Sequence, residues 1–201
     1  MQLLLIRHAL PLRSDQDSDP DLSEEGIAQA MRLPDALKRY PITRLVSSPQ
    51  KRAIQTGQPV ADALGLNIEI DDRLAEYDRD MAQYIPIEQI AAEKPEELTR
   101  LMSGHLPSSV DEGAFLARIT EGVADLVADA DSDDSVVVFS HGGVINGLLH
   151  DILPTQKLLS FQVDYTGITR LLASSRTGRL SVASVNGTEH VWDLLPRNQR
   201  W

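Results

Sequence analysis

The sequence predicts an α/β protein, a three-layer α/β/α sandwich around a mostly parallel central sheet. Three short apolar runs each end in a polar cluster, which is typical of buried parallel strands whose carboxyl ends meet at one edge. Helical patterns alternate with these runs, as expected when helices cover both faces of a sheet. With 201 residues, 42% of them hydrophobic, we expect one domain over residues 1–201.

The first apolar run extends from Leu3 to Ile6 and predicts a strand that is buried on both faces. It ends at Arg7 and His8. Chemistry in open α/β sheets gathers beyond the carboxyl ends of the strands, so this strand is expected to deliver both side chains to a site. Taken alone, His8 can equally be a structural histidine at a strand end.

Two further runs repeat the pattern. The second ends at Ser47, and the third, from Val136 to Phe139, leads into a Ser-His-Gly-Gly sequence. If the three strands are parallel neighbours, four basic side chains converge on one pocket: Arg7, His8, Arg52 and His141. Such a pocket, in a chain of formal net charge −11, suits a dianion, and the commonest biological dianion is a phosphate ester.

The remaining elements follow from caps and periodicity. Ser23 is a plausible N-cap for a helix that Pro34 should kink or end. Ser48 as N-cap and Pro49 as first helical residue predict a helix that ends at Gly65. We expect a short strand over 67–70, a helix over 115–127, another opening at 142–143, and a hairpin from strands over 168–173 and 180–185.

Three motifs stand in this order along the chain: Arg7-His8-Ala9, Ser47-Ser48-Pro49-Gln50-Lys51-Arg52-Ala53-Ile54-Gln55-Thr56 and Ser140-His141-Gly142-Gly143. Together they resemble the histidine phosphatase superfamily, the clan that includes cofactor-dependent phosphoglycerate mutase. The order and the wide spacing match, and the resemblance covers nearly the whole chain. It implies the phosphoglycerate mutase-like fold, with a small cap inserted over the pocket at about 71–111.

The resemblance implies that His8 is the nucleophile and forms a phosphohistidine. It places the phosphoryl oxygens among Arg7, Arg52, His141 and the amide of Gly142. Ser14 stands where the family has an asparagine that wraps the phosphate, and its shorter side chain reaches less far.

By resemblance, Glu76 is the general acid and base. The family usually has a glycine a few residues after this acid, whereas here none follows before Gly104. Asp78 is therefore a second candidate for the proton donor. The cap should select the substrate, and its polar candidates are Arg79, Tyr84, Lys94 and Arg100.

The leading hypothesis is a phosphatase that hydrolyses a small phosphorylated metabolite through phosphohistidine. The alternatives are a mutase of the phosphoglycerate type, a protein phosphatase and a non-catalytic phosphate binder. We expect no cofactor and no metal, because the arginines supply the positive charge and no paired histidine spacing suggests a metal site. A homodimer stays open.

Composition limits the partners. The chain has no cysteine, which excludes disulfides, a thiolate metal site and a cysteine nucleophile. An acidic chain without Lys/Arg clusters is a poor candidate for nucleic acid, and no apolar run approaches the ~20 residues of a membrane span. Without a signal-peptide pattern either, we expect a cytoplasmic protein.

Overall fold

A computed structural model describes residues 1–12, 14, 17–79 and 95–198. Within these residues one sheet has the strand order β3-β2-β4-β1-β5-β6. Its strands are β1 (Gln2–Arg7), β2 (Arg44–Ser47), β3 (Ile68–Ile70), β4 (Ser135–Ser140), β5 (Ile168–Ala173) and β6 (Leu180–Gly187). Strands β1 to β4 are parallel to one another, while β5 and β6 form an antiparallel hairpin next to β1. The predicted mostly parallel sheet is confirmed.

The register of the parallel strands brings their carboxyl ends level. Arg7 at the end of β1 lies opposite Ser140 at the end of β4. Ser47 at the end of β2 lies opposite Phe139. The polar residues that follow the three apolar runs therefore lie at one edge of the sheet, as the sequence predicted.

Six helices accompany the sheet in the described ranges: α1 (Glu24–Ala30), α2 (Leu33–Leu37), α3 (Lys51–Leu64), α4 (Pro95–Met102), α5 (Glu112–Ala128) and α6 (Gly142–Ile152). Short 3₁₀ turns cover Asp72–Leu74 and Glu189–Leu194. Two separate apolar clusters show that helices cover both sheet faces. In one cluster, α5 and α6 pack on alternate residues of β1 and β4. In the other, α2 and α3 pack on the intervening residues of the same two strands.

Alternation along β1 explains this division. Leu3 and Leu5 belong to the first cluster, whereas Leu4 and Ile6 belong to the second. Successive strand residues point to opposite faces, so an unbroken apolar run is required wherever helices cover both sides. The three-layer sandwich is confirmed.

Local caps agree with the sequence at some helix ends and differ at others. The Ser23 side chain accepts the Gly26 amide and caps α1. Pro34 lies in the first turn of α2, where its missing N–H costs nothing. The prediction for α3 was wrong by two residues: the helix begins at Lys51 with Gln50 as N-cap, and the Ser48 hydroxyl contacts a histidine instead.

The cap region is described in part. It contains α4, packed through Leu101, whereas Tyr84 and Lys94 lie outside the described residues. A search of the described helices finds none long and apolar enough to cross a membrane.

Candidate active site

A cavity of about 530 Å³ opens at the carboxyl edge of the parallel strands. Five of the residues predicted for the site line it directly: Arg7, His8, Arg52, Glu76 and Gly142. They come from β1, α3, the segment after the first 3₁₀ turn and the start of α6. The parallel register therefore brings together side chains that are far apart in sequence.

His8 follows directly after β1 and is buried. Its Nδ1 lies 2.8 Å from the carbonyl oxygen of Ala9. Because a carbonyl only accepts, Nδ1 is the protonated ring nitrogen, and Nε2 keeps its lone pair. Burial, and then the charges of Arg52 and Arg7, hold the pKa of His8 well below its usual value. The imidazole is therefore neutral near pH 7, the form that a nucleophile requires.

The main chain around His8 is tied to α3. The amide of Ala9 donates to Thr56 Oγ1 at 2.8 Å, and that hydroxyl in turn donates to the Arg52 carbonyl. Thr56 is fully buried. One threonine of the second motif thus holds the His8 segment of the first.

Arg7 is held from two sides. Its Nη1 donates to the Val163 carbonyl at 2.7 Å, and its Cζ lies 3.9 Å from the centroid of the Tyr165 ring. The guanidinium also passes close to Gly142 at the start of α6. A stacked and hydrogen-bonded guanidinium is fixed in orientation, which suits bidentate contact to a phosphoryl group.

Arg52 projects from the first turn of α3 and is fully buried. Its Nη2 lies 2.9 and 3.0 Å from the two carboxylate oxygens of Asp78. Gln50 Nε2 also donates to Asp78, while Gln50 Oε1 accepts the amide of Glu76. The N-cap residue of α3 therefore connects both acidic residues of this segment.

Glu76 faces the start of α6. The Gly143 amide donates to its Oε2 at 2.8 Å and the Tyr77 amide to its Oε1 at 3.1 Å. Burial, and then the charge of Asp78, raise the pKa of Glu76 to about 7. A carboxyl group with a pKa near the working pH can give and take a proton in turn.

His141 lies behind His8, with 5.2 Å between the ring centroids, and is not among the residues that line the cavity. Its Nε2 lies 2.6 Å from the Ser48 hydroxyl. Burial, and then the charge of Arg52, hold the pKa of His141 well below its usual value. Within the described residues its buried Nδ1 has no hydrogen-bond partner.

Besides His141, three predicted residues do not line this cavity. The Ser14 hydroxyl accepts the Asp17 amide, so its short side chain serves a local turn. Arg79 donates to the carbonyl of Asp72, and Arg100 donates to the carbonyl of Leu106. From the segment predicted to form the cap, Tyr77, Leu101 and Met102 line the cavity instead.

A second side of the cavity was missed in the sequence. We call it the outer wall: residues 159–165 and 195–197, all of which line the cavity. Asn146 on α6 holds it through both the amide and the carbonyl of Phe161. Asp164 accepts from Arg197 at 2.7 Å and from Asn186 at 2.8 Å. No periodic pattern marks these segments, so only the fold reveals them.

Within the ranges that the structure describes, no group of three or more His, Cys, Asp or Glu residues is arranged to hold a metal ion.

Comparison with known proteins points to one family. The family described as "Histidine phosphatase superfamily (branch 1)" matches residues 3–186. A probable phosphoglycerate mutase GpmB of Yersinia pestis is 28% identical over 161 residues, 76% of this chain and 75% of the relative.

Solved structures share the fold. A mycobacterial glucosyl-3-phosphoglycerate phosphatase is 25% identical, with a TM-score of 0.77 over 92% of this chain and 98% of the other. A phosphoserine phosphatase of Entamoeba histolytica is 22% identical, with a TM-score of 0.73 over 94% and 98%. At that lower identity the likeness concerns the fold alone.

Proposed function

Because this chain belongs to the histidine phosphatase superfamily, we propose that it hydrolyses phosphomonoesters through a phosphohistidine on His8. The observation that carries the proposal is the pairing of a neutral, oriented His8 with a Glu76 whose pKa is about 7. One group supplies a lone pair and the other a proton, and both line the same cavity. These are the two components that phosphoryl transfer to an imidazole needs.

In the first step, His8 Nε2 attacks phosphorus. The N–P bond forms, the ester P–O bond breaks, and the protonated Glu76 carboxyl gives its proton to the departing alkoxide. Arg7 and Arg52 stabilise the charge on the phosphoryl oxygens, and the Gly142 amide at the start of α6 adds a donor. Positive charge from the arginines takes the place that a metal ion has in other phosphatases.

In the second step, water attacks the phosphohistidine. Glu76, now ionised, takes a proton from the water as its oxygen bonds to phosphorus, and the N–P bond breaks. Inorganic phosphate leaves, and both His8 and Glu76 return to their starting protonation states. The neutral His141 packs behind His8, and Ser48 sets its orientation.

We propose a small phosphorylated metabolite that bears a carboxylate. Two of the relatives at 25% identity or more are named for a phosphoglycerate mutase and a glucosyl-3-phosphoglycerate phosphatase. In this chain Arg197 lies in the outer wall and offers a cation to a second anionic group, although Asp164 takes part of its charge. A mutase remains the second candidate, because the curated relative carries that name.

The phosphohistidine is tested by trapping. Labelled phosphate from a reactive ester should attach to His8 and be acid-labile but stable to base, unlike an aspartyl phosphate. His8→Ala should abolish trapping and turnover while the fold is retained, whereas His105→Gln, at an exposed histidine, serves as the matched control. Phosphate on another residue would overturn the mechanism.

The reaction class is tested with a panel of phosphorylated metabolites. Release of inorganic phosphate identifies a hydrolase, and formation of an isomer identifies a mutase. Preference for carboxylate-bearing esters over neutral ones supports the substrate class. Turnover of phosphoproteins alone would indicate a protein phosphatase, and phosphate binding without turnover a non-catalytic binder.

A further inference from the structure

The carboxylate of Asp78 lies on the guanidinium that is proposed to receive the substrate phosphoryl group. Arg52 Nη2 contacts both Asp78 oxygens, at 2.9 and 3.0 Å, and Gln50 Nε2 contacts Oδ1 at 2.9 Å. Asp78 and Arg52 both line the cavity beside His8. Three hydrogen bonds from two donor nitrogens therefore hold an anion of the protein itself in the phosphate pocket.

The Gln50 side chain is oriented for this contact. Its Oε1 accepts the Glu76 amide, which directs its NH₂ group towards Asp78. The N-cap position of α3 thus positions the backbone of the proposed proton donor and the side chain of Asp78 together. This arrangement separates the two acidic residues: Glu76 accepts the Gly143 amide of α6, whereas Asp78 is paired with an arginine.

The two partners differ in how easily they can move. Arg52 belongs to α3 and is fully buried, whereas Asp78 lies in a turn outside any helix or strand. A phosphoryl dianion offers more charge and more oxygens than a carboxylate, so it forms the stronger charge-assisted bonds with Arg52. The carboxylate is therefore the group that gives way, and its movement leaves the sheet and the core intact.

We propose that Asp78 is an internal, displaceable occupant of the Arg52 anion site and sets how weakly the pocket holds inorganic phosphate. This inference rests on the proposed function, since it assumes that Arg52 binds the phosphoryl group. When the pocket is empty, Asp78 compensates a buried guanidinium. When phosphate enters, it must displace Asp78, and every phosphoryl ligand binds more weakly in proportion to the occupied fraction.

Such an occupant favours product release. A hydrolase must bind the ester yet release phosphate, although both place the same dianion on the same arginine. The rest of an ester molecule can contact the outer wall, whereas free phosphate contacts only the hydrogen-bond donors around His8. Competition from Asp78 weakens the binding of both by the same factor, but the ester keeps the affinity that its contacts to the outer wall supply, whereas the product has no such contacts. The charge of Asp78 also raises the pKa of Glu76, second to burial.

The test is direct binding of inorganic phosphate, measured by titration calorimetry on the full chain. Asp78→Asn keeps the size but removes the charge, and it should tighten phosphate binding about tenfold or more. Asp78→Glu should return the affinity towards that of the unmodified protein. With an ester substrate, the same asparagine variant should show stronger product inhibition and a lower KM.

Asp19 provides the matched control, because its carboxylate contacts the same arginine, at 3.4 Å from Nη1, but is not among the cavity-lining residues. Asp19→Asn should change phosphate affinity little. Equal tightening in both variants would mean that net charge, not occupancy, matters, and would overturn the inference. Unchanged or weaker binding in Asp78→Asn would overturn it too.

Two further outcomes are distinguishable. If the protein and all variants fail to bind phosphate, the proposed function fails and the inference with it. If phosphate binds but Asp78→Asn has no effect, only the inference fails. Should Asp78→Asn prove unfolded by circular dichroism, Asp78→Ser is measured in its place, with the same readings.

Discussion

The Glu76 carboxyl group lies so close to Gly143 that a residue with a Cβ would not fit at position 143. The Gly143 amide donates to Glu76 Oε2 at 2.8 Å, and a Cβ on Gly143 would overlap with Glu76 Oε1. The glycine is required by the carboxyl group and not by its own backbone, which is helical. The start of α6 is therefore shaped around the proposed proton donor.

Gly143→Ala should displace the Glu76 carboxyl group while leaving stability nearly unchanged, because the methyl group meets the flexible end of a side chain. We expect turnover of an alkyl phosphate to fall by roughly 10²-fold, the cost of about 1 Å of misplacement. Gly113→Ala is the control: Gly113 is also the second residue of its helix, and the nearest atom to its Cβ would be Asp111 Oδ1 at 3.4 Å. Equal losses in both variants would contradict the prediction.

Glu76→Gln should reveal the proton donor through the leaving group. An alkoxide needs a proton as it departs, whereas nitrophenolate leaves without one. Single-turnover transfer from alkyl esters should slow by roughly 10²–10⁴-fold. The burst of nitrophenolate from p-nitrophenyl phosphate should persist, even though later hydrolysis slows.

Asp78→Asn is the comparison for this experiment. Because Asp78 pairs with Arg52, its variant should affect both kinds of ester alike when the burst is measured well below pH 7, where Glu76 is protonated. Leaving-group dependence in Asp78→Asn alone would move the acid role two residues along the chain. Equal slowing of both bursts in Glu76→Gln would remove Glu76 from that role.

The pH dependence of the first step follows from the raised pKa of Glu76, about 7. A general acid must be protonated, so single-turnover transfer from an alkyl ester should decline as pH rises above about 7. The nitrophenyl ester should lack this decline. A rate that rises through this range for the alkyl ester would contradict the assignment.

The same pKa affects stability. Glu76 titrates near 4.5 when unfolded and near 7 when folded, so the folded state binds more protons between these values. Its stabilising effect is therefore present below about pH 4.5 and is lost as pH rises through 7, a loss of about 3 kcal/mol. Urea unfolding of Glu76→Gln and of the unmodified protein checks this. The stability difference between them should shift in favour of the variant when the pH is raised from 4.5 to 8.

Ser48→Ala should loosen His141, because it removes the hydroxyl that lies 2.6 Å from Nε2. We expect phosphoryl transfer to slow by roughly 5- to 30-fold, which is what one or two kcal/mol are worth. Ser47→Ala is the matched control, since that neighbouring buried hydroxyl donates to the Ser48 carbonyl instead. Similar rates in the two variants would show that the histidine contact carries no weight.

Much of the architecture was predictable from local patterns. Unbroken apolar runs predicted strands covered on both faces, and the residues after them predicted where Arg7, His8 and Arg52 would gather. Capping predicted α1, and Gly65 ends α3 in a left-handed conformation as expected. These features depend on periodicity and backbone preference, which a sequence displays directly.

Other features could not be read in this way. Ser48 is of a residue type that commonly caps helices, and it precedes a proline. Its hydroxyl nevertheless contacts His141, which lies 93 residues further along the chain. Arg100 has the charge of a substrate ligand, yet it donates to a nearby carbonyl. In both cases several polar partners were available, and local sequence does not rank them.

The sequence by itself determined which chemical groups this protein has and predicted that they gather at one edge of the sheet, because apolar runs that end in polar residues are visible along the chain. Only the tertiary structure decided how the acids divide their roles. Glu76 is buried and accepts the Gly143 amide of α6, whereas Asp78 pairs with Arg52. Protonation depends on burial and on neighbouring charge, and both arise only when distant segments pack together.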